Sequence, residues 1–291
     1  MTTLPLTVLV HEGPMARAYL ATLRHGGVGV GRIVLMVNDR DPATDRQIGR
    51  WLPSRGLRST LAAQIQDVRH NHWSRHIASR QTPLFHAIID RVGEAYGLPR
   101  SVFQEMIRKS SFRDYTDRIT RVFCSGLRDP AVAAALEGDD HPTVLFTGGG
   151  IVPAELLAIE KRFIHVHPGF LPDVRGGDGL LWSTLVRGRP GVSAIYMDPG
   201  IDTGAIIRAE ECQPLAFNVP DRGAQEDQML ARALFAFYDP ILRAQLFARL
   251  ARNGEALDNR PATTQVEADG TLFHFTHPKL RRMALERLFP G

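Results

Sequence analysis

Two apolar runs, "LTVLV" (6–10) and "RIVLMV" (32–37), flank a stretch, "MARAYLATLRHGG" (15–27), whose apolar residues recur at helical spacing and stop at glycine. Strand, helix and strand inside forty residues leave few folds open. A helical crossover makes the two strands parallel and right-handed, and a parallel sheet has to be covered on both faces. The opening therefore predicts an α/β domain.

The rhythm then breaks. From about 41 to 118 the text is polar, helical in its spacing and without a convincing strand, which predicts a helical insertion. Alternation resumes with "RITRVFCSG" (118–126) as a strand, and "DPAVAAALEG" (129–138) follows as a helix with an aspartate cap and a proline in its first turn. "PTVLFTGGG" (142–150) reads as a strand running into a glycine loop, "PAELLAIEKR" (153–162) as a helix and "FIHVHPG" (163–169) as a strand. "GLLWSTLVRG" (179–188) is a helix and "GVSAIYMDPG" (191–200) a strand followed by a loop. A long amphipathic helix is expected over 222–252, and the tail from 253 carries short strand-like pieces such as "TLFHFTH" (271–277). The expected architecture is a Rossmann-like parallel sheet with a helical insertion and a small C-terminal extension. Its expected division is a catalytic unit over 1–210 and a C-terminal helix with its extension over 211–291.

Composition narrows the function classes. Hydrophobic residues make up 44% of the chain, enough for a buried core, and no apolar run reaches the roughly eighteen residues that a membrane span needs. The opening "MTTLPLTVLVHEGP" lacks the basic start and small-residue cleavage site of a secretion signal. Cys124 and Cys212 make neither a disulfide framework nor a CxxC motif, so buried thiols and a cytoplasmic location are expected. The net charge is +4, but only three of the 35 basic residues are lysines and no basic run is interleaved with aromatics. Neither nucleic acid nor membrane is expected as a partner, and the oligomeric state is left open.

The chemistry concentrates in "FIHVHPGFLPDVRGGDG" (163–179). On a strand, residues two apart face the same side, so His165 and His167 point together, with Pro168 ending the strand. Ligands of open α/β sheets bind at the carboxyl ends of the strands. Asp202, in "MDPGIDTGAII" (197–207), sits in a glycine-bracketed loop after another strand. Two imidazoles and a carboxylate there suit acid–base work or a divalent metal; they are equally compatible with a capped strand and an Asx turn. The three glycines of "TGGGIVPAELL" (147–157) can cradle a phosphate or let the backbone lie against a flat ligand, and neither GxGxxG nor a Walker lysine accompanies them. His70, His72 and His76 in the insertion have no carboxylate or cysteine at ligand spacing, so they read as a solvated or substrate-facing surface. His274 and His277 in the tail read as structural.

Taken in order, the glycine loop, I-x-P-x-x-L-L, H-P-x-x-L-P and D-x-G-I-D-x-G-x-I-I resemble the folate-dependent formyltransferases. That family includes the glycinamide ribonucleotide, methionyl-tRNA, amino-sugar and hydroxyornithine N-formyltransferases. The resemblance spans about 120–210, extends to the opening βαβ unit and leaves out the insertion. It implies 10-formyltetrahydrofolate as formyl donor and a catalytic Asn, His and Asp. The His falls on His167 and the Asp on Asp202, while His165 occupies the Asn position. The resemblance implies that His165 takes over the Asn's part as donor to the formyl oxygen. Gly169 stands where the family has a serine, and Ile195 where it has a histidine. The pterin would lie against Gly149, Gly150 and Ile151 and against Asp198, Pro199, Gly200 and Ile201.

The expected activity is therefore N-formylation of a small-molecule amine, such as an amino sugar or a hydroxyornithine-like acceptor. Methionyl-tRNA fits less well, because the region after 210 is short for an RNA-binding domain. Two rivals stand beside it. One is a hydrolase whose metal is held by His165, His167 and Asp202; the other is a folate-binding protein with altered catalysis, against which the retention of both His167 and Asp202 argues.

Overall fold

The computed structural model describes residues 2–108, 111–252 and 256–290. β1 (Thr2–His11), α1 (Pro14–His25) and β2 (Val28–Asn38) form the βαβ unit read from the first forty residues, with β1 and β2 parallel. The chain then leaves the sheet for α2 (Arg55–His70), α3 (His72–Arg80), α4 (Thr82–Tyr96) and α5 (Arg100–Ile107), the helices expected in the insertion. It returns as β3 (Ile119–Cys124) beside β2.

α6 (Pro130–Glu137) starts where the Asp129 side chain accepts from the Ala131 amide. β4 (Thr143–Phe146) then pairs with β1, α7 (Ala154–Leu157) is a single turn, and β5 (Arg162–His167) pairs with β4. After β6 (Val174–Gly176) and α8 (Gly179–Arg187), β7 (Gly191–Tyr196) and β8 (Ile206–Glu211) complete the sheet. Its order is β3-β2-β1-β4-β5-β7-β8. The order reverses between β1 and β4, so the glycine loop after β4 opens at a topological switch point, where α/β sheets bind ligands.

Burial alternates along the strands as two covered faces require. Val8 and Val10 of β1 join one apolar cluster with α1 and the insertion helices, and Leu9 joins the other with Val132, Leu136 and Leu156. Leu35 and Val37 against Val34 and Met36 repeat the alternation on β2.

Four expectations are corrected. The sheet is not wholly parallel, because β7 runs antiparallel to β5 and β8 antiparallel to β7. β8 was hidden by its sequence, "IIRAEE", whose charges suit an exposed edge that must not pair with another chain. The helix expected over 153–162 is only the turn α7. The helix expected over 222–252 begins at α9 (Asp227–Ala233), passes through a π turn at Leu234–Tyr238 and continues as α10 (Asp239–Arg252). α10 is buried on nearly every side rather than amphipathic, because it packs against α1, β5 and β7 at once. The tail adds β9 (Thr271–Phe273), parallel to β6, and α11 (Pro278–Leu288), whose first turn the His277 ring caps.

Among the described residues no helix is long and apolar enough to cross a membrane, and both cysteines are buried and unpaired.

Candidate active site

β5 delivers its two histidines to one cavity of about 450 Å³, as the spacing of two predicts. Asp202 reaches the same cavity by a route that the sequence did not suggest. Because β7 is antiparallel, the loop after it begins beside the first half of β5, where the Met197 amide donates to the Phe163 carbonyl at 2.9 Å. The loop then doubles back along the strand to bring the Asp202 Oδ2 within 3.2 Å of the His167 Nδ1. Two features hold this reversal. Asp202 itself takes left-handed backbone (φ 55°), and a Cβ on Gly204 would lie 1.8 Å from the Tyr196 carbonyl oxygen, so only glycine fits there. Within the loop the Asp198 Oδ1 accepts from the Gly200 amide (3.0 Å) and the Thr203 hydroxyl (2.6 Å).

His167 is 2% exposed along its side chain, and both its ring nitrogens face protein acceptors. Nδ1 faces Asp202, and Nε2 lies 2.9 Å from the Val174 carbonyl oxygen. The Asp202 Oδ2 also accepts from the Gly176 amide at 3.0 Å. Burial works to raise the Asp202 pKa, but the charge and hydrogen bond of His167 outweigh it and hold the carboxyl far below the usual carboxylate range. His165 sits differently. Its Nδ1 lies 3.3 Å from the Phe146 carbonyl oxygen, and burial, with the positive charge of Arg243 second, pushes its pKa down to about 4. Arg243 is a residue of this candidate site that the sequence reading missed. It lines the cavity from α10, is held by Asp239 through two bonds of 2.8 Å, and donates to the Val166 carbonyl at 3.3 Å.

The predicted binding residues take their places around the cavity with one exception. Gly149, Gly150 and Ile151 form one side, and Asp198, Gly200 and Ile201 another; Pro199 is not among the lining residues. A third side comes from the tail: Leu272, Phe273, His274 and Phe275. His274, read as structural, therefore lines the cavity, whereas His277 caps a helix as expected. Trp182 fixes this side by stacking on Phe273 at 4.4 Å and donating from its indole N–H to the His274 carbonyl at 2.7 Å. Gln265 ties the tail to the Asp202 loop, donating to the carbonyls of Asp202 (2.9 Å) and Gly204 (2.7 Å). No motif marked Gln265; a lone polar residue in an irregular tail has no signature.

His72 and His76 stack at 6.0 Å along α3, and neither they nor His70 line this cavity. Among the described residues no group of three His, Cys, Asp or Glu is placed to hold a metal ion. In the proposed metal set, moreover, His167 turns both its ring nitrogens to protein acceptors.

No family model matches the chain. A stretch of 90 residues is 39% identical to the methionyl-tRNA formyltransferase of Syntrophus aciditrophicus, covering 30% of this chain and 28% of that one. A stretch of 71 residues is also 39% identical to the methionyl-tRNA formyltransferase of Clostridioides difficile, covering 23% of each chain. The matched stretch thus spans less than a third of the curated relatives' length. Among solved structures, a sugar N-formyltransferase from a Shewanella species overlaps 99% of this chain and 88% of its own at 13% identity and a TM-score of 0.45. A 4-N formyltransferase from Francisella tularensis overlaps 98% and 89% at 11% identity and a TM-score of 0.45. Overlaps this loose add nothing to the sequence match.

Proposed function

We propose that this chain, akin in sequence to the folate-dependent formyltransferases, transfers a formyl group from 10-formyltetrahydrofolate to the amine of a small metabolite. One observation carries the reading. The His167–Asp202 pair, 3.2 Å apart, lies in a cavity lined also by Gly149 to Ile151 and by the loop ahead of Asp202. Those are the positions that the family resemblance assigns to the pterin.

The reaction asks three things of the site. It must hold a flat donor, admit a neutral amine to the formyl carbon, and manage the proton that the amine loses and the departing folate nitrogen gains. The backbone of the glycine loop and the exposed faces of Ile151 and Ile201 offer a surface for a flat ring. The imidazoles and the carboxylate supply the proton chemistry. The tail side, which lines the same cavity as the glycine loop, would border donor and acceptor alike, and the insertion would help shape the acceptor site, within a catalytic unit over 1–210 and an extension over 211–291. An amino sugar or a hydroxyornithine-like amine is the acceptor class we favour, in the cytoplasm, where Cys124 and Cys212 stay reduced.

Calorimetric titration with a stable 10-formyl folate analogue, and mass spectrometry of formamide products from a panel of amino sugars and N-hydroxylated ornithines, test this. Saturable binding with one formylated product supports it. Absence of folate binding in well-folded protein would overturn it.

A further inference from the structure

The two histidines of β5 face opposite tasks. A carbonyl oxygen only accepts, so the His165 contact to Phe146 requires a proton on Nδ1. A neutral imidazole has one N–H, so Nε2 carries a lone pair. Among the described residues no hydrogen bond reaches that Nε2, and the ring borders the cavity. His167 is arranged the other way, because Val174 and Asp202 occupy its two nitrogens.

Gly169 explains the exchange. A Cβ there would lie 2.4 Å from the His167 Nε2 and 2.6 Å from the Val174 oxygen. The serine that the family carries at this place would push the ring off that carbonyl. With glycine the ring settles against the backbone, and the one imidazole nitrogen left free for a ligand on this strand is the Nε2 of His165. The two departures from the family pattern, His165 and Gly169, are therefore parts of one rearrangement.

We propose that His165 is the proton shuttle of this site, its Nε2 taking a proton from the attacking amine and returning it to the departing folate nitrogen. The proposal rests on the formyl-transfer reading and replaces the donor role that the resemblance implies for this residue. The amine lone pair forms the new C–N bond as the C=O π pair moves to oxygen. The ammonium then gives a proton to Nε2. When the oxygen pair re-forms the carbonyl, the bond to the folate nitrogen breaks, and that nitrogen leaves with the electron pair and takes the proton back from Nε2. Amine and formyl donor become formamide and tetrahydrofolate, and nothing else is consumed. The groups around the ring suit a base that must stay unprotonated until the amine arrives. Arg243 from α10 and His167 from β5 disfavour the charged ring, and Asp202 from the β7–β8 loop favours it and will steady the transient imidazolium.

Two measurements decide it. Long-range proton–nitrogen correlation on protein labelled with nitrogen-15 histidine reads the tautomers without any substrate. The expected result is His165 protonated on Nδ1 and bare on Nε2; the opposite tautomer overturns the proposal. The His165→Asn variant keeps an N–H for a formyl oxygen but has no basic nitrogen. It should bind the folate analogue as wild type does, lose turnover by about a hundredfold or more, and lose the enzyme's own part of the acid limb of its kcat/KM profile, leaving only the limb set by protonation of the acceptor amine. An Asn variant with near-wild-type turnover and an unchanged pH profile would overturn the shuttle alone. Wild-type protein that binds no folate would instead remove the underlying reading, and the shuttle with it.

Discussion

Along the β5 side of the cavity, His167 and Asp202 hold each other and are held by Val174 and Gly176, and Arg243 is held by Asp239. Across the cavity, the tail side comes from a strand of only three residues and the residues just after it, of which Phe275 is 81% exposed. The first side is over-determined by hydrogen bonds, each of which fixes the next. The second is anchored from behind, by Trp182 and Gln265, while Leu272 and Phe275 at its rim are largely exposed. Reacting groups need the first kind of support, because a small displacement misaligns proton transfer. A surface that only has to cover an apolar ligand does well with the second. Changes on the β5 side should therefore be felt in kcat and changes on the tail side in KM.

The sharpest way to break that contrast is Asp202→Asn. The shape is kept, and the charge that orients His167 is lost. Turnover is expected to fall by about a thousandfold or more, as when the carboxylate behind a catalytic histidine is neutralised. The thermal midpoint should move by only a few degrees. Steady-state kinetics beside a melting curve checks both, and a variant with wild-type kcat would show that the β5 side is merely structural.

The acid dependence of stability separates His165 from Asp202. The folded protein holds the His165 pKa near 4, whereas an unfolded chain titrates at about 6.5. The unfolded state thus binds the extra proton as pH falls through that interval. His165 has no effect on stability above about pH 6.5, lowers it between about 6.5 and 4, and adds no further loss below; the total is on the order of 3 kcal/mol. Asp202 acts lower. Its depressed pKa gives stability that is present above the ordinary carboxylate value and lost as pH falls below it toward the folded value. Urea denaturation at pH 7, 5.5 and 4.5 should show a slope for wild type that His165→Asn flattens.

Gly169→Ser tests how tightly the β5 side is packed. Its Cβ must displace the His167 ring, at a cost of about 1–3 kcal/mol for an overpacked site. Chemical denaturation reads the cost, and a serine variant of unchanged stability would mean that the ring moves freely.

How far the sequence disclosed all this follows the same division. The parallel strands β1, β2, β4 and β5 were legible because burial on both faces makes nearly continuous apolar runs, and β3, at the sheet edge, because a short apolar stretch runs into Ser125-Gly126. His165 and His167 were legible because a spacing of two places them together at the end of β5, and Asp202 because glycines bracket its loop, though the path of that loop was not. What stayed hidden depends on contacts distant in sequence. The antiparallel turn of β7 and β8 lies in pairing, not in periodicity. Arg243 reads as one more arginine on a helix until Asp239 and the Val166 carbonyl are seen to hold it. His274 and Phe275 belong to the cavity only because β9 pairs with β6, some hundred residues away.

The smallest expected effect lies on the tail side. Phe275 covers Gly177, where a Cβ would come within 3.1 Å of its ring, and the remaining ring surface faces solvent at the rim of the cavity. Together with Ile151, Ile201 and Leu272, all exposed, it forms an apolar rim that a flat ligand would cover. Little of the protein's own packing depends on this ring, so Phe275→Ala should leave the folding stability within about 0.5 kcal/mol, as for ordinary surface changes. An aromatic contact with a ligand ring is worth about 0.5–1.5 kcal/mol beyond area, so the KM for the formyl donor should rise between about twofold and tenfold. The kcat should stay where it is, because no reacting group leans on this side chain. A fall in kcat with unchanged KM would show that the tail side takes part in the chemistry, and the contrast between the two sides would then fail at its weaker end.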